Sequence, residues 1–187
     1  NGLVNNPPRR SAGPPKLRIW RPPTNGSPPG QPRQSRGLTA SAFCLMPLLL
    51  LHFIATAYMA GLIWFVQLVH YPLMAAVGRA GFAAYERSHQ RRTSWAVGPA
   101  MLVEMLTAIA LLVIEPGVLT LLGFSMLLII WLSTAFVQVP AHRRLEAGFE
   151  ATAHRQLVTT NWIRTVLWSA RTVIAAMMLL SPESQVH

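Results

Sequence analysis

The sequence predicts an all-α integral membrane protein: an up-down-up-down four-helix bundle behind a disordered N-terminal tail. Three observations predict it. Of the 187 residues, 52% are hydrophobic and only 12% are charged, too apolar for an ordinary soluble domain. Four apolar stretches each reach the length of about 20 residues that a bilayer-crossing helix needs. The connections between them are short enough to make consecutive helices antiparallel neighbours.

The elements follow in order. Residues 1–37 are rich in Pro, Gly, Arg and Asn, with Pro7-Pro8, Pro14-Pro15, Pro22-Pro23 and Pro28-Pro29. Such a stretch cannot bury a core and is expected to be disordered. It lacks the apolar stretch of a signal peptide. The first Met is Met46, so the tail reads as an upstream extension or part of a longer precursor. The transmembrane domain is expected at 38–182. Its first segment runs from Leu38 to Met74, with His52, Thr56, Gln67 and His70 as weak interruptions. The second runs from Trp95 to Ile114 and ends at Glu115-Pro116-Gly117. The third runs from Val118 to Val139 and is expected to stop at Pro140, because proline disrupts a helix interior. The fourth runs from Leu157 to Leu180, before Ser181-Pro182. The loop 75–94 is expected to hold a short surface helix around Tyr85–His89.

Formal net charge is +10. No nucleic-acid reading motif accompanies it, so nucleic acid is excluded as a partner and anionic lipid headgroups are the simpler one. The loops after segments one and three carry Arg79, Arg87, Arg91, Arg92, Arg143, Arg144 and Arg155. The second loop and the C-terminus carry no Lys or Arg. The positive-inside rule then makes the basic loops cytoplasmic, in a bacterial inner membrane. Every acid is Glu, Lys16 is the only Lys and Cys44 the only Cys. Asp-dependent triads, a membrane-buried Schiff-base lysine, an intrachain disulfide and a cysteine zinc site are thereby excluded. The sequence names no cofactor.

Ionisable residues at membrane depth are costly, and are usually functional or paired. Glu104 interrupts segment two, and Arg164 and Arg171 lie inside segment four. At 1.5 Å per residue from the basic-loop side, Asn161 lies roughly 6 Å deep, Arg164 roughly 10 Å, Glu104 roughly 15 Å and Arg171 roughly 21 Å. Asn161, Arg164, Trp168 and Arg171 share one helical face, which places Trp168 for a cation–π contact with either arginine. Gln67 and His70 enter from the same side. Glu104 is expected to pair with Arg164 or Arg171, with segments two and four as antiparallel neighbours. Two roles compete for that pair: a ligand or catalytic site, with Glu104 and His70 handling protons, or a tie that fixes which helices meet. Asn161, Arg164, Trp168, Arg171, His142 and Gln67 form the expected ligand-binding set. Glu86 and His89 have the i, i+3 spacing of a carboxylate-bridged metal pair, but no second Glu-x-x-His exists. They stand only as weak metal candidates. Interfacial His70 and His142 read as solvated end residues, with metal or haem ligation as the less favoured alternative. Trp64, Trp95 and Trp162 read as interface anchors, and Ala57-x-x-x-Gly61 as a close-approach pair serving intrachain packing or dimerisation.

The pattern His70-Tyr71-Pro72, Pro140-x-His142 with Leu145, and Asn161-Trp162-x-Arg164 with Ala170-Arg171-Thr172 resembles uncharacterised four-helix bacterial membrane proteins, distantly similar to the anthrone-oxygenase-like group. The resemblance covers about residues 40–180. It implies a four-helix fold with a polar site at one membrane face, and some members of that group oxidise polycyclic phenols. Trp168 stands three residues before Arg171 with no His between, a departure from the enzyme branch. Three functions fit the chain: an oxidoreductase acting on a lipophilic aromatic or quinone-like molecule at a half-depth polar site, a small transporter, or a structural or accessory subunit of a membrane complex. The far half offers only His52 and Thr56, which disfavours a continuous pore. The implied partners are membrane lipids, a lipophilic small molecule, and a second copy or larger complex.

Overall fold

A computed structural model describes Gly2 and residues 35–181, with side-chain surroundings from Leu45 onward. The tail expected at 1–37 lies outside the described residues, except for Gly2 and its last three, 35–37, which are already helical. No strand occurs among the described residues. The first span is α1 (Ser35–Phe65), a π-turn (Val66–His70) and α2 (Tyr71–Met74). The second is α3 (Arg79–Ile114). The third is α4 (Val118–Ser133), a second π-turn (Thr134–Gln138) and α5 (Val139–Leu145). The fourth is α6 (Ala151–Leu180). All four spans are long and apolar enough to cross a membrane, and the chain is a small polytopic membrane protein.

Three boundaries differ from expectation, the first two because hydropathy marks the bilayer and not the helix. The second helix starts at Arg79 instead of Trp95, so most of the expected loop 75–94 is helical. Its added turns are amphipathic. Phe82 and Glu86 are fully buried while Arg87, Arg91 and Arg92 are exposed, the spacing of a one-sided helix. The fourth helix starts at Ala151. The third span passes through Pro140 to Leu145 instead of stopping.

The π-turns explain how proline is accommodated. Each widens the helix by one i→i−5 bond, Tyr71 N–H to Val66 O and Val139 N–H to Thr134 O. Each ends two residues before a proline, Pro72 or Pro140. A proline in a regular helix loses its own N–H bond and pushes on the carbonyl four residues back; a widened turn relieves that contact. Both π-turns lie at the basic-loop end of the bundle. Gly148, at φ 143°, turns the chain between α5 and α6, in backbone space that favours glycine.

The first span packs on the second and fourth, and the third also packs on the second and fourth. The second and fourth therefore lie on a diagonal. Up-down topology makes them run the same way, so they are not the antiparallel neighbours expected from sequence. Outward faces are apolar: Ile54, Leu68, Val113, Phe136 and Val173 are exposed, as lipid-facing side chains are. Inside, one apolar cluster centred on Met59, Phe82, Leu145 and Leu157 fills the basic-loop end. A smaller one, Leu49, Leu111, Ile174 and Met178, fills the other. Gly61 faces outward, and a Cβ there would meet nothing within 4 Å; the Ala57–Gly61 pair does not serve intrachain packing.

Candidate functional site

Two polar systems occupy the bundle, and they differ in how completely they are satisfied. The deeper one is centred on Glu104, which is 0% exposed. Arg171 donates to its Oε1 from Nε (3.1 Å) and Nη2 (3.0 Å). Trp168 donates from its indole N–H to Oε2 at 3.0 Å. Arg171 also donates from Nη1 to the carbonyl of Gly123. The expected pairing of Glu104 with an arginine thus falls on Arg171, across the diagonal. Both carboxylate oxygens and all three guanidinium nitrogens are occupied, and the network joins the second, third and fourth spans. Trp168 meets the network by its indole edge instead of by the cation–π contact expected from spacing. One turn on, His52 Nδ1 lies 2.8 Å from Thr107 Oγ1 and ties the first span to the second.

The shallower system is centred on Arg164, 9% exposed. Its Nε donates to Asn161 Oδ1 at 3.0 Å, and Nη2 reaches the same oxygen. Nη1 lies 3.5 Å from Thr134 Oγ1 and Nη2 3.4 Å from the Tyr71 phenolic oxygen. These two are at the long limit of hydrogen bonding. Among the described residues, no carboxylate forms an ion pair with Arg164. Asn161 is held for this role. Its Nδ2 donates to Gln67 Oε1 at 2.8 Å, and Gln67 Nε2 donates to the carbonyl of Val158 at 3.3 Å. With its amide nitrogen engaged, Asn161 turns its oxygen to the guanidinium.

Beyond Tyr71 the system continues to the membrane face. The phenolic oxygen lies 3.4 Å from His142 Nε2. His142 Nδ1 lies 2.6 Å from Glu86 Oε1. Gln90 Nε2 donates to the same Oε1 at 3.1 Å and to the carbonyl of His142 at 3.3 Å. His154 fixes the other side of Tyr71 by donating from Nε2 to its carbonyl, 2.9 Å. His89 stacks on His70, ring centroids 4.1 Å apart, and lies 5.6 Å from His142. Two buried atoms here have no hydrogen-bond partner: Glu86 Oε2 and His70 Nε2. Such orphans are uncommon and call for an explanation.

A cavity of about 80 Å³ lies between the two systems, lined by Tyr71, His142, His89, Thr93, Thr134, Arg164 and Trp168 on its polar side. Met59, Leu62, Ile63, Val66, Val97 and Met101 close it with apolar surface. The half-buried Leu62, Thr93 and Val97 place its outer wall between the first and second spans. A larger cleft of about 490 Å³ opens at the Glu115–Gly117 end. A small pocket beside Arg171, lined also by His52, Leu119, Thr120 and Met178, holds about 10 Å³, at most about one water.

The structure therefore gathers His142, Arg164 and Trp168 around one cavity, holds Arg164 through the Asn161–Gln67 pair, and leaves Glu104 and Arg171 in a closed tie beside it. His70 stands in the histidine stack, away from Glu104. Glu86 and His89 share a helix but not a contact: Glu86 serves His142, and His89 Nδ1 lies 3.1 Å from Thr93 Oγ1. Among the described residues, no group of three or more metal-capable side chains is assembled. Stacked imidazoles direct their in-plane lone pairs side by side, not to a common point. Gln90 is not among the residues expected from sequence, and Tyr71 enters there only within the His70-Tyr71-Pro72 pattern. Tyr71 carries a polar tip on a residue that reads as interface packing; its place before Pro72 was the available signal. Comparison with protein-family models, with curated proteins and with solved structures finds no match.

Proposed function

We propose that this chain binds a lipophilic aromatic or quinone-like molecule in the cavity at the basic-loop end, and acts on it as a small membrane oxidoreductase. One observation carries this: among the described residues Arg164 is a buried guanidinium without a carboxylate partner, held at the wall of a cavity that is otherwise largely apolar. A buried charge left without a counter-charge is expensive. A ligand oxygen with negative or partial negative charge would offset that cost, and the apolar wall suits a ring. Tyr71 and His142 line the same cavity, within reach of a ligand proton. The proposal includes kinship with the anthrone-oxygenase-like group, supported by the residues that carry the resemblance, and a bacterial inner-membrane location with the basic loops cytoplasmic.

Calorimetric titration of the detergent-purified protein with 4-nitrophenol and with a naphthoquinone tests it. Saturable binding is expected, and Arg164→Met should abolish it. Equal binding by that variant would sink the proposal. The closed Glu104 network favours a second reading, a structural or accessory subunit of a membrane complex, because it joins three spans without a ligand. Stable co-purification with larger subunits, together with no binding of either titrant, would favour that one.

A further inference from the structure

We infer that Tyr71 exchanges the ligand's proton, through a directed relay from Tyr71 to His142 positioned by Glu86; the inference rests on the ligand reading above. The direction follows from donor chemistry. A guanidinium only donates, so Arg164 Nη2–H points to the Tyr71 oxygen, 3.4 Å away. The phenolic proton is then free to point to His142 Nε2, also 3.4 Å away. A carboxylate only accepts, so His142 carries its Nδ1 proton toward Glu86 Oε1 at 2.6 Å. That contact fixes the tautomer and leaves Nε2 as the acceptor. Gln90 holds Glu86 and the His142 backbone together, and His154 holds the Tyr71 backbone. The order hydroxyl, imidazole, carboxylate is that of a catalytic triad, which is recognised by geometry and roles, not by chain order. Here the three come from the first, third and second spans, and a fixed cation stands at the hydroxyl end.

The step is proton transfer alone. The Tyr71 proton moves to His142 Nε2, leaving a phenolate oxygen against Arg164 and an imidazolium against Glu86. A ligand hydroxyl in the cavity then gives its proton to Tyr71. The ligand O–H bond breaks, the Tyr71 O–H bond re-forms, and the ligand oxyanion stays beside Arg164. The net change is one proton from ligand oxygen to His142, with no electrons moved. The substrate class is therefore one with an acidic hydroxyl on a ring, a phenol or hydroquinone. The two 3.4 Å contacts are at the long limit of hydrogen bonding.

The test uses 4-nitrophenol, whose phenolate absorbs in the visible, at a pH where the free dye is mostly protonated. Wild-type protein should bind it and turn it to phenolate. Tyr71→Phe keeps the ring and should bind the dye but leave it neutral. Glu86→Gln should bind the dye and ionise less of it, a spectroscopic change that a merely structural role would not produce. Thermal unfolding in detergent confirms that each variant is folded. Wild type that binds the dye only as the neutral phenol overturns the relay, and so does Tyr71→Phe ionising the dye as fully as wild type. Wild type that binds no dye at all overturns the ligand reading and the relay with it.

Discussion

The two membrane arginines make opposite predictions for the same substitution. Arg171 is matched by Glu104 and fully hydrogen-bonded. Removing one member of a buried pair strands the other, typically at about 3–5 kcal/mol. Glu104→Gln is therefore expected to lower the thermal unfolding midpoint sharply in detergent. The double variant Glu104→Gln/Arg171→Met should recover most of the loss, because the Gln carbonyl still accepts from Trp168 and no charge is left alone. A double variant no more stable than Glu104→Gln would defeat the pairing argument. Among the described residues Arg164 has no carboxylate to strand. Arg164→Met should leave stability unchanged or raise it, the trade between stability and function expected of a binding site, while ligand binding disappears. Destabilisation comparable to that of Glu104→Gln would show that Arg164 is as structural as Arg171. Charges inside apolar runs are conspicuous in a sequence, which is why Glu104, Arg164 and Arg171 could be found from it. Which arginine is paired depends on helix rotation, and depth estimates that bracket Glu104 between the two do not decide that.

At the scale of elements, the π-turns place the site. Gln67 and His70 lie in the first, and Thr134 and Gln138 in the second. Each widened turn changes the angle at which the following helix presents its side chains, and single π-turns of this kind are frequent at functional sites. Restoring an N–H at residue 140 removes one cause of the widening, so Pro140→Ala should let the third span relax toward a regular helix. Its thermal midpoint should stay near that of wild type, since a regular turn gains a backbone bond. Binding of 4-nitrophenol should weaken, because Thr134 moves against Arg164 and His142 against Tyr71. Unchanged affinity in the titration would show that the π-turn does not position the site. None of this was legible beforehand. A helix apolar on nearly all sides shows no shift of period when one residue is inserted, and proline alone reads as a stop. The Glu86–His142 contact was hidden for a related reason. It joins residues 56 apart in sequence, and it needs the second helix to extend well beyond the bilayer segment that hydropathy marks.

At the scale of the molecule, the bundle is polarised. The fold class and the span count follow from hydropathy because lipid permits few spanning structures other than closed helices. The position of the polar site in one half follows from the same logic. The exposed arginines share that half: Arg79, Arg87, Arg91 and Arg92 on α3, Arg143 and Arg144 on α5, and Arg155 on α6. Arg144 pairs with Glu150 in the short α5–α6 turn. That pair is exposed and contributes little to stability, but it leaves the basic balance of the face intact. At the opposite face the α3–α4 turn offers Glu115 and no Lys or Arg. Positive charge near span ends is retained on the cytoplasmic side during insertion, and anionic headgroups there attract it. The site would then exchange its proton with the cytoplasmic side, because the relay ends at His142, half-buried at the basic-loop end. Residue 117 reports the orientation. Its place in the α3–α4 turn is exposed, and no atom lies within 4 Å of a new Cβ except the Thr120 hydroxyl at 3.9 Å. Gly117→Cys in a Cys44→Ala background should react with a membrane-impermeant maleimide added from outside the cell membrane. Ser88→Cys, on the half-exposed basic end of α3, should react only after the membrane is permeabilised. The reverse pattern would place the basic face, the Tyr71 relay and the ligand cavity on the outer side, and the proton would have to be exchanged there.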